Sequence, residues 1–156
     1  MTKIEQILHI LRRKNLKICT AESFTGGSVA SSFVSIAGAS DVFSLGLVCY
    51  TYQAKMQMLG VAQSTLSDFG AVSEQTVSEM LDGLDRLNIA DIMLATSGNA
   101  GPTAEKDGEV GVFYLGVMQG GKKTIRRYKA QGDRQSVIDC GVDQSINLIL
   151  ELIKEK

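Results

Sequence analysis

Histidine is almost absent from this 156-residue sequence, which contains only His9. A Ser-His-Asp or Cys-His mechanism needs an imidazole as its general base. His9 lies between Leu8 and Ile10, far in sequence from every glycine-rich turn, so we interpret it as a helix-surface or core-edge residue. A hydrolase of this composition would have to activate a nucleophile differently. The histidine-free option is a Ser or Thr hydroxyl paired with a lysine of lowered pKa.

Cysteine is also scarce, with Cys19, Cys49 and Cys140 as an odd set that has no C-x-x-C spacing. Disulfide scaffolds and zinc sites both need more than this. Cys19 and Cys49 sit in apolar runs and are predicted to be small buried core residues. The lack of histidine also weighs against a metal-dependent hydrolase, although a carboxylate-only site stays open.

The sequence has no excess of charge and no long apolar run. Sixteen basic and seventeen acidic residues give a net charge of −1, which does not support general nucleic-acid binding. A basic cluster at 122–129 is interpreted as the solvated face of a strand. No stretch approaches the roughly 20 apolar residues that cross a bilayer, and the N-terminal segment is amphipathic rather than a signal peptide. We therefore expect a cytoplasmic protein with no nucleic-acid or membrane partner.

The hydrophobic periodicity predicts alternating helices and strands. Ser64 and Ser73 are typical helix N-caps, and Gly60 is typical of a helix end. The fold class predicted from this order is α/β, a three-layer α/β/α sandwich with a mixed sheet and a C-terminal hairpin plus helix, as a single domain over 1–156. The predicted helices cover 3–14, 28–36, 53–59, 74–87 and a long segment after 133, and the predicted strands cover 17–21, 42–52, 91–97, 110–118 and 123–130.

The turn Ala21-Glu22-Ser23-Phe24-Thr25-Gly26-Gly27 follows the first predicted strand. Open α/β sheets bind ligands at the carboxyl ends of their strands. Ser23 and Thr25 could present hydroxyls there, while Gly26 and Gly27 let a ligand approach the backbone. The N–H groups of the next helix would face a phosphate or an oxyanion. An ordinary helix cap with turn glycines explains the pattern equally well.

Three further polar turns follow other predicted strands. Residues 50–55 place Lys55 about one turn into a helix, where it could reach the sheet edge, although such a lysine is usually solvated. Residues 96–102 bring hydroxyls and glycines directly after the buried strand. In Gly132-Asp133-Arg134, the arginine could form a bidentate phosphate contact. Each turn is a weak signal alone, and the four together are more persuasive.

These turns occur in the same order in a known family, and the sequence resembles the CinA C-terminal domain family. The family's Ala-Glu-Ser-Cys-Thr-Gly-Gly signature matches residues 21–27, with Phe24 in place of cysteine. Its Gly-x-x-x-Tyr-x-Asn-x-x-Lys stretch matches residues 46–55, with Tyr50 and Lys55 retained. Its Gly-x-Ala-Gly-Pro and Gly-Asp-Arg segments match residues 98–102 and 132–134. The matches run from about residue 16 to residue 134.

The enzymatic members of this family are nicotinamide-nucleotide amidases, also called nicotinamide mononucleotide deamidases. The resemblance implies a hydrolase of NAD salvage that converts nicotinamide mononucleotide to nicotinic acid mononucleotide and ammonia, with no metal or cofactor. It implies Ser23 as the nucleophile, Lys55 as the base that removes the serine proton, and Tyr50 as the residue that orients them. The substrate-binding residues that it implies are Thr25, Gly26, Gly27, Ser97, Gly98, Ala100, Gly101 and Arg134.

Several positions depart from the family pattern. Phe24 is larger than cysteine and is expected to reshape the pocket beside the nucleophile. The family's Asn and Glu before the lysine are Tyr52 and Gln53 here, which removes a carboxylate near Lys55. The loop at 103–109 is shorter. A second arginine after Gly-Asp-Arg is missing, and losing one such phosphate contact would weaken nucleotide binding by roughly 1.5–3 kcal/mol.

The residues therefore leave three hypotheses open. The first is an amidase acting on nicotinamide mononucleotide. The second is a nucleotide-binding or interaction module without catalysis, which the departures at Phe24, Tyr52 and the loop favour. The third is an amidase for a different small amide. The oligomeric state is open as well, with a homodimer as one option for a short chain with apolar helices.

Overall fold

In a computed structural model that describes residues 1–154, the chain forms six α-helices and five β-strands. The last two residues of the predicted domain, 155 and 156, lie outside the described part. In chain order the elements are α1 Lys3–Lys14, β1 Ile18–Glu22, α2 Ser28–Val34, β2 Phe43–Val48, α3 Tyr52–Leu59, α4 Gln63–Phe69, α5 Glu74–Arg86, β3 Ile92–Gly98, β4 Val112–Gln119, β5 Lys122–Lys129 and α6 Arg134–Lys154.

Local sequence signals explain most of the element ends. Ser73 accepts a hydrogen bond from the Thr76 N–H and caps α5, as predicted. The prediction that Ser64 is an N-cap is wrong, because it lies inside α4, whose N-cap is Ala62. The predicted strand over 42–52 is too long at its end, because the Thr51 side chain caps α3 and starts a helix at the next residue.

The five strands form one mixed sheet in the order β2-β1-β3-β4-β5. Strand β1 runs parallel to both β2 and β3, while β4 is antiparallel to β3 and to β5. The predicted C-terminal hairpin is therefore confirmed as β4 and β5. After β1 the chain forms β2 on one side of β1, and it then crosses to form β3 on the other side of β1. A topological switch point therefore lies between β1 and β3.

Two hydrophobic clusters cover the two faces of the sheet. Side chains of a strand alternate between faces, and β3 follows this rule: Ile92 and Leu94 join the cluster with α1, α2 and α6, while Met93 and Ala95 join the cluster with α3, α4 and α5. The three-layer α/β/α prediction is confirmed. Cys19, predicted to be buried, lies in the second cluster and is fully buried.

The register brings all four polar turns to one edge of the sheet. Glu22 pairs with Val48 at the ends of β1 and β2, and Ala21 pairs with Ala95 on β3. Since β4 runs in the opposite direction, the end of β5 returns to this edge, where Val112 pairs with Lys129. The candidate site is therefore assembled by strand order, from turns far apart in sequence.

The surface features that the sequence analysis set aside have simple explanations. His9 is exposed on α1. Three residues of the basic cluster at 122–129 form ion pairs within the chain, Lys123 with Asp82, Arg126 with Glu151 and Lys129 with Glu109, each at 2.6 Å. Within residues 1–154, no helix combines the length and the apolar character that spanning a membrane requires.

The Phe24 side chain lies in the hydrophobic core. It is 4% exposed, its ring centroid is 5.1 Å from that of Phe113, and it contacts α6 at Gly141, where an added Cβ would come within 2.4 Å of the ring. The expectation that Phe24 reshapes the pocket beside the nucleophile is therefore not met. The larger side chain is accommodated under the turn by a glycine on α6.

Gly141→Ala should destabilise the protein by about 1–2 kcal/mol, because the clash with Phe24 outweighs the gain in helix propensity. In a Phe24→Cys background most of this cost should disappear, since the ring atoms that meet the new methyl group are gone. A double-mutant cycle measured by urea unfolding tests the coupling. Equal costs in both backgrounds would show that the two residues do not compensate each other.

Candidate active site

Lys55 is buried at the sheet edge with its amine on Ser23. Its side chain is 1% exposed, and Nζ donates hydrogen bonds to Ser23 Oγ at 2.8 Å, to the Cys49 carbonyl at 2.9 Å and to the Tyr50 carbonyl at 3.3 Å. Lys55 is therefore buried, whereas a lysine at such a position is usually solvated. The structure brings together Ser23 and Lys55, the two residues that the sequence suggested as candidate nucleophile and candidate base.

Burial makes Lys55 an unusually weak base for a lysine. Removal of its charge from water lowers the pKa from 10.5 to about 8, and negative charge at Cys49 and Glu105 opposes part of that shift. Burial also raises the pKa of the Cys49 thiol, so the thiol is neutral near physiological pH. Of the two groups, only the Glu105 carboxylate then opposes the lowering of the Lys55 pKa. A useful fraction of Lys55 is then uncharged and can accept a proton from Ser23.

The turn after β1 fixes Ser23 through its backbone. The Ser23 N–H donates to the backbone oxygen of Thr96 at 3.1 Å and to its Oγ1 at 3.2 Å, while its carbonyl accepts from the Gly26 N–H at 3.0 Å. Gly26 and Gly27 have φ values of +60° and +93°, a left-handed conformation that favours glycine. The two glycines therefore allow the reversal that leaves the Ser23 hydroxyl facing Lys55.

Glu22 holds the same turn through its side chain, a role that was not predicted from the sequence. Its carboxylate is fully buried and accepts hydrogen bonds from the Thr25 hydroxyl at 2.7 Å and from the Val29 and Ala30 N–H groups at 2.9 and 3.0 Å. The expectation that the N–H groups of this helix face a substrate anion is therefore wrong for Val29 and Ala30. The protein's own carboxylate already occupies that position.

Glu22→Gln should lower the free energy of unfolding by about 2–4 kcal/mol, because the amide NH₂ group would face N–H donors and leave buried groups unpaired. Urea unfolding measures the loss. Asp68→Asn, a similar substitution at an exposed residue, is the control and should change stability little. A Glu22→Gln variant as stable as this control would show that the carboxylate does not hold the turn.

Tyr50 and Arg134 meet at the mouth of the site. Arg134 donates to the Tyr50 hydroxyl at 3.0 Å and to the Gly101 carbonyl at 2.5 Å. Tyr50 is 58% exposed. Its backbone carbonyl accepts a hydrogen bond from Lys55, whereas its hydroxyl accepts one from Arg134. The orienting role predicted for Tyr50 stays a prediction. The contact of Tyr50 with Lys55 is made by its backbone carbonyl and not by its hydroxyl.

The other predicted substrate-binding residues line the edge with their polar groups already engaged. Thr25 is 1% exposed, and its hydroxyl also lies 2.9 Å from that of Thr96. Ser97 donates to the Ala71 carbonyl at 2.7 Å. Gly98, Ala100 and Gly101 continue from the end of β3, and Gly98 packs so closely on Phe113 that an added Cβ would lie 2.5 Å away. Their contact with a substrate stays a prediction.

The comparisons with known proteins agree with the resemblance. The family model described as CinA C-terminal domain matches residues 1–153. The chain belongs to this family. A crystal structure of a competence or damage-inducible protein from Enterobacter asburiae superposes on this CinA domain with a TM-score of 0.94 at 34% identity, covering 97% of this chain and 96% of that one.

Two curated relatives are both named CinA-like protein. The one from Kosmotoga olearia is 44% identical over 134 residues, which are 85% of this chain and 32% of the relative. The one from Thermotoga neapolitana is 38% identical over 156 residues, which are 99% of this chain and 38% of the relative. This CinA domain therefore spans about a third of the length of these relatives, whose names state no reaction.

Sequence reasoning missed Glu105, and it placed Glu22 and Thr96 in candidate turns without giving either residue a role. Glu22 lies inside the recognised turn, yet nothing local shows that it accepts the N–H groups of residues 29 and 30. Thr96 was noted only as a hydroxyl residue after the buried strand, and Glu105 only as one of several charged residues in a loop. Thr96 and Glu105 accept hydrogen bonds from residues far away in sequence, Ser23 and Ala71, so no local signal identified their roles.

Proposed function

We propose that this CinA domain is an amidase that converts nicotinamide mononucleotide to nicotinic acid mononucleotide and ammonia with a Ser-Lys mechanism. The observation that carries the proposal is the buried Lys55 amine, 2.8 Å from Ser23 Oγ with a pKa of about 8. A lysine with this pKa can exchange protons near neutral pH, whereas an ordinary lysine stays charged.

In the proposed reaction, neutral Lys55 takes the proton of the Ser23 hydroxyl as Oγ attacks the carboxamide carbon. The C=O π electrons move to the oxygen, and backbone N–H groups of the 24–27 turn stabilise this oxyanion, apart from that of Gly26, which donates to the Ser23 carbonyl. When the tetrahedral intermediate collapses, the C–N bond breaks and the Lys55 ammonium gives its proton to the leaving group, which departs as ammonia. The product is an acyl ester on Ser23.

Water completes the cycle. Lys55, neutral again, removes a proton from a water molecule that attacks the ester carbon. Collapse of the second intermediate breaks the bond to Ser23 Oγ, and Lys55 returns the proton to the serine. The product leaves as the pyridine carboxylic acid, which loses its proton to the solvent and becomes the carboxylate. No histidine takes part, consistent with a sequence whose single histidine lies on the surface of α1.

We assign the phosphate of the substrate to Arg134. A guanidinium carries five N–H donors, and the contacts of Arg134 to Tyr50 and Gly101 use two of its nitrogen atoms. Arg134 is exposed at the mouth of the site. A phosphate placed there would leave the nicotinamide end of the nucleotide directed toward Ser23.

Ammonia release from three amides tests the proposal. Purified protein at micromolar concentration is incubated with millimolar nicotinamide mononucleotide, nicotinamide riboside or free nicotinamide. The mononucleotide should react fastest, because it alone carries a phosphate for Arg134. Faster reaction of another amide would support the different-amide hypothesis. Calorimetric binding of the mononucleotide without ammonia release would contradict the proposal and support a binding module.

A further inference from the structure

Glu105 connects three segments of the chain, one of which is α3, the helix that carries Lys55. Its carboxylate accepts hydrogen bonds from the Tyr52 hydroxyl at 2.7 Å, from the Ala71 N–H at 3.1 Å and from the Val72 N–H at 2.8 Å. Its own N–H donates to Asn99 Oδ1 at 3.2 Å. One side chain therefore joins α3, the segment before α5 and the loop after β3.

This network lies on the same side of α3 as the base. Tyr52 and Lys55 are three residues apart on that helix, a spacing that places both side chains on one face. The Ala71 backbone is fixed at both ends, since its N–H donates to Glu105 and its carbonyl accepts from Ser97. Glu105 is half-buried, it is joined to α3 through Tyr52, and its negative charge acts on Lys55.

The groups that face Lys55 can be named. Ser23 and the carbonyls of Cys49 and Tyr50 contact its amine. Burial raises the pKa of the Cys49 thiol, and burial together with Glu105 raises the pKa of the Tyr52 phenol. Both groups are therefore neutral at the pH where Lys55 titrates. Negative charge at Cys49, and to a smaller extent at Glu105, would raise the pKa of Lys55, and with the Cys49 thiol neutral only the Glu105 carboxylate contributes.

We propose that Glu105 is the positioning residue of the Ser23–Lys55 pair, holding α3 and the 70–73 segment in place while supplying the carboxylate that faces the base. The shortened loop at 103–109 carries it into this position. It thereby supplies a carboxylate near Lys55 in a chain where residue 53, directly before Ala54 and Lys55, is a glutamine. The catalytic part of this inference depends on the proposed amidase function, whereas the electrostatic part does not.

Glu105→Gln tests the electrostatic part without any substrate. A ¹³Cε-lysine NMR titration follows Lys55, with its signal assigned by its loss in Lys55→Met. Loss of the negative charge should lower the pKa of Lys55. Glu109→Gln is the matched control, because it removes a charge from the same loop at a residue that pairs with Lys129 instead. An unchanged Lys55 titration in Glu105→Gln, or equal shifts in both variants, would overturn the inference.

The amidase assay tests the positioning part. Glu105→Gln should lower kcat by about tenfold with a smaller change in KM, since misplacing a base weakens the chemical step more than binding. Its rising pH limb should move to lower pH. Glu105→Asp, which keeps the charge on a shorter side chain, should lose kcat while Lys55 keeps its titration. An inactive wild type would refute the proposed function alone, because the NMR result would still decide the electrostatic role.

Glu105→Gln and Glu105→Asp must first show the circular dichroism spectrum and the unfolding midpoint of a folded protein. If Glu105→Gln does not fold, Glu105→Asp alone decides the positioning part. Wild-type kcat in that folded variant would then overturn it, because the shorter side chain cannot hold all three segments as observed.

Discussion

Ser23→Ala is expected to lower kcat for ammonia release from nicotinamide mononucleotide by at least about 10³-fold, because it removes the atom that forms the acyl-enzyme. The fold should persist, since the turn is held by the Ser23 backbone N–H and by Glu22, which the substitution leaves in place. Steady-state ammonia release measures the effect, and urea unfolding confirms that the variant is folded.

Ser28→Ala is the control for this substitution. Ser28 is an exposed hydroxyl residue at the start of α2, five residues after the nucleophile, and its replacement should leave kcat nearly unchanged. Mass spectrometry of wild type quenched during turnover should show an acyl adduct on Ser23. Retention of more than a tenth of the wild-type rate in Ser23→Ala would exclude the serine as nucleophile.

Lys55→Met is expected to lower kcat by about 10²- to 10⁴-fold, the usual range for loss of a general base. Methionine fills a similar volume without an amine, so the pocket stays packed. Lys55→Arg is the matched control for charge: it keeps a cation that does not release its proton, and it should be inactive as well. An active Lys55→Arg variant would show that Lys55 acts as a fixed positive charge rather than as a base.

The same lysine predicts the pH dependence of wild type. Since the base must be uncharged, kcat/KM should rise with pH through a midpoint at about 8, the pKa of Lys55. Kinetic measurements between pH 6 and 10 would follow this limb, and Ser23→Ala provides the baseline. A rate that is flat across this range would contradict a titrating lysine base.

Stability gives a second, substrate-independent measurement of Lys55. Its pKa is lower in the folded state, about 8 against 10.5, so between these values the unfolded state binds more protons and stability rises with pH. The free energy of unfolding of wild type, relative to that of Lys55→Met, should therefore rise by up to about 3 kcal/mol between pH 8 and pH 10.5. Outside that pH range the difference between the two proteins should stay constant. Urea unfolding at several pH values tests this.

The sequence was sufficient to predict the architecture and to single out Ser23 and Lys55, which the structure places 2.8 Å apart. Apolar periodicity located every strand, and the absence of a usable histidine directed attention to a serine and a lysine. Caps such as Ser73 act within one turn of chain, so a local signal is complete. Ser64 carried the same signal but lies inside α4, because the helix already begins at Gln63, with Ala62 as its N-cap.

The environment of Lys55 was decided by the tertiary structure. A lysine four residues into a helix is ordinarily solvated, and only the packing of α3 against the sheet edge buries the amine and lowers its pKa. Likewise, Phe24 reads as a pocket residue in sequence and is a core residue in the fold, because Gly141 leaves room for it on a helix more than a hundred residues away.

The sequence by itself determined which hydroxyl and which amine are available, since covalent neighbours fix the turns that carry them. The tertiary structure decided which backbone N–H groups donate hydrogen bonds to Glu22 and Glu105, and therefore how Ser23 and Lys55 are held. The physical reason is that hydrogen bonding and burial depend on atoms brought together by strand order. Local sequence patterns describe only the chain on either side of a residue.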